Sequence, residues 1–245
     1  MSALWIALLC LVIAGVAVSV GVAFVTRITS LFADERDAHP DSLIVDAVYL
    51  PGAVLFFLVA GNAWCVFSRS GLDSSAAASV LFIVLLWLLA YIDAHTTILP
   101  DVLTGLLAAS GLALRLSGLH GCWDDVGAYF AMGLGIAVPL LINGVYKWFV
   151  RRRLRGAGGE VDPEVGTEVG AEPGEDAIGQ GDAKLLAGMG IWLGLHPLGV
   201  VIMSAAWLSL LYTLCKGLKN RRLPVAVPLG PFLALAGNIW ILKHV

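Results

Sequence analysis

Two acidic residues of this chain stand where an apolar sequence has little reason to keep one. Asp182 lies in Gly179-Gln180-Gly181-Asp182-Ala183-Lys184-Leu185-Leu186-Ala187, at the mouth of an apolar run, and Asp93 closes another, Ala76 to Ile92. An ionisable side chain at such a boundary is costly to desolvate, so its default reading is functional and its partner should be named. Here each acid is named as the partner of the other. Two carboxylates that meet can share a proton, one acting as base on a water while the other polarises a carbonyl, as in soluble aspartic proteases. Such a coupled pair titrates as a unit.

Blander roles compete at each position. A short acid at a helix start accepts backbone N–H groups, so Asp182 also reads as an N-cap, with Gly179 and Gly181 letting the chain turn in front of it or letting helices approach closely. Asp93 has no such alternative, because an acid at a helix C-terminus faces the negative end of the macrodipole. Asp101 follows Pro100 and has Thr104 three residues on, so it reads as a cap of the next helix. His95 reads as a proton relay or an interfacial polar residue. Lys184 either snorkels to the surface or holds the charge of neighbouring carboxylates.

The elements that must position these groups are membrane helices. The chain of 245 residues is 59% hydrophobic and 13% charged, with a mean hydropathy of +0.88; a soluble domain carries about 25% charged residues. Candidate spans fall at about 4–26, 47–67, 76–92, 102–117, 127–149, 183–195, 198–215 and 228–242. The sixth is short, and His196-Pro197 marks its boundary with the seventh, since proline is poorly tolerated inside a helix. Residues 4–26 have no basic segment in front and exceed a cleavable signal core, so they read as a retained first span.

Charge placement tests that count. With the N-terminus outside, the inward segments carry Arg27, Arg36, Lys147, Arg151, Arg152, Arg153, Arg155, Lys184, Lys216, Lys219, Arg221 and Arg222, and the outward ones only Arg69, Arg115 and Lys243. Twelve of fifteen basic residues inside is the bias that the positive-inside rule expects. Fusing 183–215 into one span would put the Lys216–Arg222 cluster outside. The expected fold is therefore an all-α polytopic membrane protein of about eight transmembrane helices, with Asp93 and Asp182 both at the cytoplasmic face.

Residues 151–178 form the one long polar connection, a basic start leading into a Gly, Glu, Asp and Pro-rich tract that reads as a flexible cytoplasmic loop, its basic part against anionic lipid. Cys10, Cys65, Cys122 and Cys215 are far apart and build no zinc site; the first, second and fourth read as small buried hydrophobes and Cys122 as a loop thiol. His120 and His196 lie outside and are too few for a metal. No serine elbow, no phosphate loop and no basic aromatic surface for nucleic acid occurs. Pro228-Leu229-Gly230-Pro231 reads either as a plain helix start or as a break beside the site, where an extended substrate finds unpaired backbone groups.

At these residues the chain resembles the type IV prepilin leader peptidases, bacterial members of the membrane aspartyl proteases with a Gly-x-Gly-Asp motif. Asp93 with Pro100-Asp101-Val102-Leu103-Thr104 looks like the first family motif, Gly179 to Ala187 continuing through Gly190-Ile191-Trp192-Leu193-Gly194 like the second, and Pro228 to Ala234 like the C-terminal segment. The resemblance spans roughly residues 76–240. It implies an integral inner-membrane protease that removes the leader from prepilins or pilin-like type II secretion subunits at the cytoplasmic side, with Asp93 and Asp182 catalytic and Gly179, Gly181, Lys184, Pro100 and Asp101 supporting the motifs. The partners it implies are the prepilin or pseudopilin substrate, membrane lipid, and pilus or secretion assembly components.

The chain departs from the pattern in its first quarter. Many family members carry two Cys-x-x-Cys pairs and a Gly-Ser-Phe-Leu-Asn-like motif there and also N-methylate the product; residues 26–45 have no cysteine, and Gly21-Val22-Ala23-Phe24-Val25 is a faint echo. Residues 1–75 are accordingly read as a two-span region without the methylation-associated loop and 76–245 as the peptidase domain. No cofactor and no metal is expected for proteolysis, while methyl transfer and its S-adenosylmethionine stay open. Two further readings stand beside this one: a Gly-x-Gly-Asp protease for another membrane substrate, and a small ion or proton transporter using the acids as a relay.

Overall fold

A computed structural model describes residues 3–31, 51–96, 99–117, 125–156, 179–220 and 227–244. These residues form eight helices and no strand: α1 (Ala3–Leu31), α2 (Gly52–Ser70), α3 (Ser74–Thr96), α4 (Asp101–Leu116), α5 (Asp125–Gly156), α6 (Gln180–Leu193), α7 (Leu195–Asn220) and α8 (Gly230–His244). The chain is thus an all-α polytopic membrane protein. Five helices, α1, α2, α3, α5 and α7, are long and apolar enough to cross a membrane. The other three have 16, 14 and 15 residues, about 21–24 Å at 1.5 Å per residue and short of the ~30 Å hydrocarbon core.

Side-chain contacts fix the direction of each helix. Lys184 meets Asp101 at the starts of α6 and α4, and Arg115 meets Ile191 at their ends, so these two run parallel. Asp93 late in α3 meets Gly230 at the start of α8, whereas Leu86 faces Gly237, so that pair is antiparallel. Ala131 against Gly190 and Gly135 against Ala187 set α5 antiparallel to α6. Tyr91 of α3 reaches Gly21 late in α1 and Gly52 at the start of α2, and Arg69 at the end of α2 reaches Leu242 at the end of α8. His196 faces Trp240, and Tyr212 faces Phe232, which sets α7 against α8. The described helices therefore alternate in direction. The end of α3 and the starts of α4, α6 and α8 share one end of the bundle.

The core lies around α3 and α6. Phe82, Ile83 and every residue from Leu85 to Ala94 are buried in α3, and so is every residue from Leu185 to Leu193 in α6. α3 opens on Asp73, whose carboxylate accepts the Ala76 N–H at 2.7 Å, and it packs against α1, α2, α4 and α8. Small residues let α6 sit deep, as they do where membrane helices pack without a hydrophobic drive between them. A Cβ on Gly190 would lie 2.6 Å from the Ala131 backbone, and one on Gly135 2.6 Å from that of Ala187. On the other flank, Gly111 of α4 receives the Trp192 ring, whose Nε1–H donates to the Leu107 carbonyl at 2.7 Å.

Three expectations are corrected. The break after α6 falls at Gly194, whose φ of +81° suits glycine and whose N–H donates to the Gly190 carbonyl at 2.9 Å. Leu195 already opens α7, so His196-Pro197 sits in its first turn, where the N–H that proline lacks has no helical partner to lose. Arg151 to Arg155 continue α5 through Gly156 instead of starting the loop; residues 157–178, with the rest of the expected loop, lie outside the described residues, as do Cys122 and His120. Cys10 is buried as expected, but Cys65 is half-buried and Cys215 exposed on the outer face of α7.

Candidate active site

The starts of the three short helices surround a cavity of about 370 Å³. Its lining includes Asp93, Leu99 and Asp101, then Gly179 through Asp182 with Lys184, and Val227-Pro228-Leu229 in front of α8. The structure thus brings Asp93 and Asp182, far apart in sequence, to one recess.

Asp93 is 4% exposed, one turn before the end of α3. Its Oδ2 accepts the N–H of Gly230 at 2.9 Å. Gly230 opens α8, so Asp93 places a carboxylate at the positive end of a neighbouring helix, a setting that favours its charge. Glycine is required here by close approach: a Cβ on Gly230 would fall 2.6 Å from Asp93 Oδ2. Pro231 follows in the first turn of α8, where proline costs no hydrogen bond. Pro228-Leu229-Gly230-Pro231 is a helix start, and it is also a wall of the site.

Asp182 is half-buried in the first turn of α6, ahead of the apolar run. Burial pushes its carboxyl up to about 6. Gly179, not Asp182, is the N-cap residue, and no side-chain cap bond is made, so capping does not account for this acid. The two glycines of the motif differ. A Cβ on Gly181 would lie 2.9 Å from the Cβ of Leu99, so Gly181 lets the α6 start close on the segment before α4. Gly179 meets nothing nearer than Asp182 Oδ2 at 3.7 Å.

Asp101 does not cap α4. Pro100 is the N-cap residue, no side-chain cap bond forms, and the Asp101 carboxylate instead accepts from Lys184 Nζ at 2.6 Å. Proline at the cap moves Asp101 one position into the helix, where its oxygens no longer face the free N–H groups. The pair settles what Lys184 holds: Asp101, across the cavity mouth. Thr104 is buried, its hydroxyl donating to the Asp101 carbonyl at 3.1 Å. His95 is bonded within its own helix: its Nδ1 bonds the Tyr91 carbonyl at 2.8 Å and its ring packs on Tyr91. Among the described residues no three His, Cys, Asp or Glu are grouped to hold a metal.

Sequence reasoning missed Arg115 and the amide of Gly230. Arg115 is buried at the far end of α4 and donates from Nε to the Ile191 carbonyl and from Nη2 to that of Trp192, the latter at 3.2 Å. Its signal was its place among the few basic residues on the sparse side of the charge count.

Fold and site together define a polytopic helical membrane protein with a carboxylate pair in a recess at its helix ends. Residues 80–214 match the type IV leader peptidase family, and the chain belongs to that family. It is similar to the prepilin leader peptidase/N-methyltransferase of Pectobacterium carotovorum subsp. carotovorum, 31% identical over 185 residues, covering 75% of this chain and 55% of that protein. The protein of the same name from Dickeya chrysanthemi is 30% identical over 193 residues, 78% of this chain and 57% of its own. That of Burkholderia pseudomallei (strain K96243) is 31% identical over 180 residues, 73% and 49%. The chain spans about half the length of the curated relatives it matches. No solved structure matches it.

Proposed function

We propose that this chain is a membrane aspartic endopeptidase that removes the leader peptide of type IV prepilins or pilin-like type II secretion subunits. The observation that carries the reading is that one cavity is lined by both Asp93 and Asp182. In the reaction one ionised carboxylate takes a proton from a water as its oxygen attacks the scissile carbonyl. The other carboxyl, protonated, donates a hydrogen bond to the carbonyl oxygen and then its proton to the departing amide nitrogen. Water is the only co-reactant, and no cofactor or metal enters the scheme. The non-helical backbone of Val227 and Pro228 offers an edge along which an extended substrate segment can lie.

The site faces the cytoplasm of a bacterial inner membrane in this reading. Its support is charge: Arg27, Arg152, Lys184 and Lys216 lie at or toward the cavity end of their helices, while Arg69, Arg115 and Lys243 mark the other end. The partners are the prepilin and, beyond it, components of pilus or secretion assembly. Methyl transfer, part of the relatives' names, is left out because the cysteine-free segment 26–45 departs from the pattern that accompanies it.

The test is leader removal from a prepilin by the full chain in membranes. Asp93→Asn and Asp182→Asn should each abolish cleavage, by at least a thousandfold, while insertion and yield stay those of the parent. Normal processing by either variant would refute the pair.

A further inference from the structure

The far end of the bundle holds few basic residues, and two of them do the same thing. Arg115, at the end of α4, donates to the last carbonyls of α6. Arg69, at the end of α2, donates through Nη1 to the Leu242 carbonyl near the end of α8, at 2.6 Å. A helix C-terminus exposes unpaired carbonyls and the negative end of its dipole, so a cation there is favourable. The two helices gripped in this way are those whose opposite ends make the site: α6 begins with Asp182, and α8 begins with the Gly230 N–H on Asp93.

The burial of Arg115 makes it the stronger case. It is 6% exposed within an apolar bundle, where an arginine is costly unless its charge is hydrogen-bonded. The guanidinium fork reaches two successive carbonyls, which a lysine ammonium on its flexible stem cannot hold in the same fixed geometry. Between the two ends, Gly188 packs on Leu107, Gly111 on Ile191 and Trp192, and α6 runs unbroken over its 14 residues. Such a helix moves as a rod. Asp182 and Ile191 are about 14 Å apart along it, and a slip at Ile191 becomes the same slip at Asp182.

We propose that Arg115 is a positioning residue for Asp182, fixing from the far end of the bundle the height at which α6 presents its first-turn carboxylate to Asp93. Arg69 is its weaker counterpart on α8, since it is exposed where it donates to the Leu242 carbonyl. The catalytic form of this claim rests on the peptidase reading. A misplacement near 1 Å at reacting groups costs about a hundredfold in rate, which sets the scale expected.

The experiment uses the full chain in lipid nanodiscs, as parent, Arg115→Met, Arg115→Lys and Arg69→Met. Two readouts are taken: prepilin cleavage against pH, and backbone hydrogen–deuterium exchange without substrate. Arg115→Met should lower kcat by tenfold to a hundredfold, Arg115→Lys less, and Arg69→Met by no more than threefold. The pH profile of Arg115→Met should also change shape, because coupling between two carboxylates depends on their separation; a loss of folded protein would only scale it. Exchange in Arg115→Met should rise about tenfold throughout α6, including residues 183–186 beside the site, and not in α3.

An unchanged pH profile, or faster exchange confined to the last turn of α6, would reduce Arg115 to a local cap and overturn the proposal. If Arg115→Met does not fold, Arg115→Lys carries the same two tests in milder form. A parent that cleaves no prepilin defeats the peptidase reading, and exchange along α6 then decides the anchor by itself.

Discussion

The two acids of the cavity are held by opposite means. Asp93 belongs to α3, a long helix buried on all sides from Leu85 to Ala94, and it is tied by a hydrogen bond to one backbone N–H of α8. Asp182 belongs to the shortest described helix, in its first turn, half-exposed and without a cap bond. Position at Asp93 is therefore decided within one contact. Position at Asp182 is decided by everything that seats α6: Gly190 against Ala131 of α5, Gly188 against Leu107 of α4, Gly181 against Leu99, and the glycines of its neighbours that face it, Gly135 of α5 and Gly111 of α4. A deep anchored carboxylate beside a shallower one also places the two acids in unequal environments, the condition under which paired carboxylates take different roles.

The sharpest way to break this contrast is at Gly230. In Gly230→Ala the new methyl lies 2.6 Å from Asp93 Oδ2, and neither α3 nor the start of α8 can yield without moving buried backbone. Prepilin cleavage is expected to fall at least a hundredfold, close to the effect of Asp93→Asn, with the protein still inserted. Activity within threefold of the parent would show that the Gly230 contact does not set Asp93.

The paired glycines of the motif divide the same contrast more finely. In Gly181→Ala the Cβ meets Leu99 at 2.9 Å, a side-chain obstacle that can partly shift, so cleavage should drop about tenfold. In Gly179→Ala the Cβ meets ordinary van der Waals space and the backbone, with φ of −58°, already suits alanine, so cleavage should stay within about twofold. Reversal of that order would mean that Gly179 makes room for substrate.

How much of this was legible in one sequence depends on the range of each contact. The eight helices were, because hydropathy and the asymmetry of lysine and arginine are properties of local windows, and the alternating directions found in the bundle agree with them. The placing of Asp93 and Asp182 at one end was legible for the same reason. Boundaries were less so: Gly194 ends α6 through its left-handed φ, a backbone property that the more conspicuous His196-Pro197 hid. The pairings were illegible. Asp101 with Lys184, Arg115 with Ile191 and Asp93 with Gly230 join residues distant in the chain, and periodicity carries no record of which helices touch. Asp101 shows the cost of a local rule applied alone: it stands beside a helix start, yet Pro100 takes the cap and a lysine from α6 takes the carboxylate.

That ion pair marks the small end of the scale. Lys184 and Asp101 side chains are 48% and 74% exposed, and exposed pairs contribute about 0–1 kcal/mol. Lys184→Met should therefore slow cleavage by less than about fivefold, and Asp101→Asn by a similar amount. Because the two side chains act through one contact, the double variant should be no slower than the worse single one, which a double-mutant cycle on kcat/KM measures directly. If Lys184→Met instead approaches Asp182→Asn in severity while Asp101→Asn stays mild, the ammonium acts on the carboxylate pair itself, and the division between an anchored Asp93 and a packing-held Asp182 would have to include a charge as a third restraint.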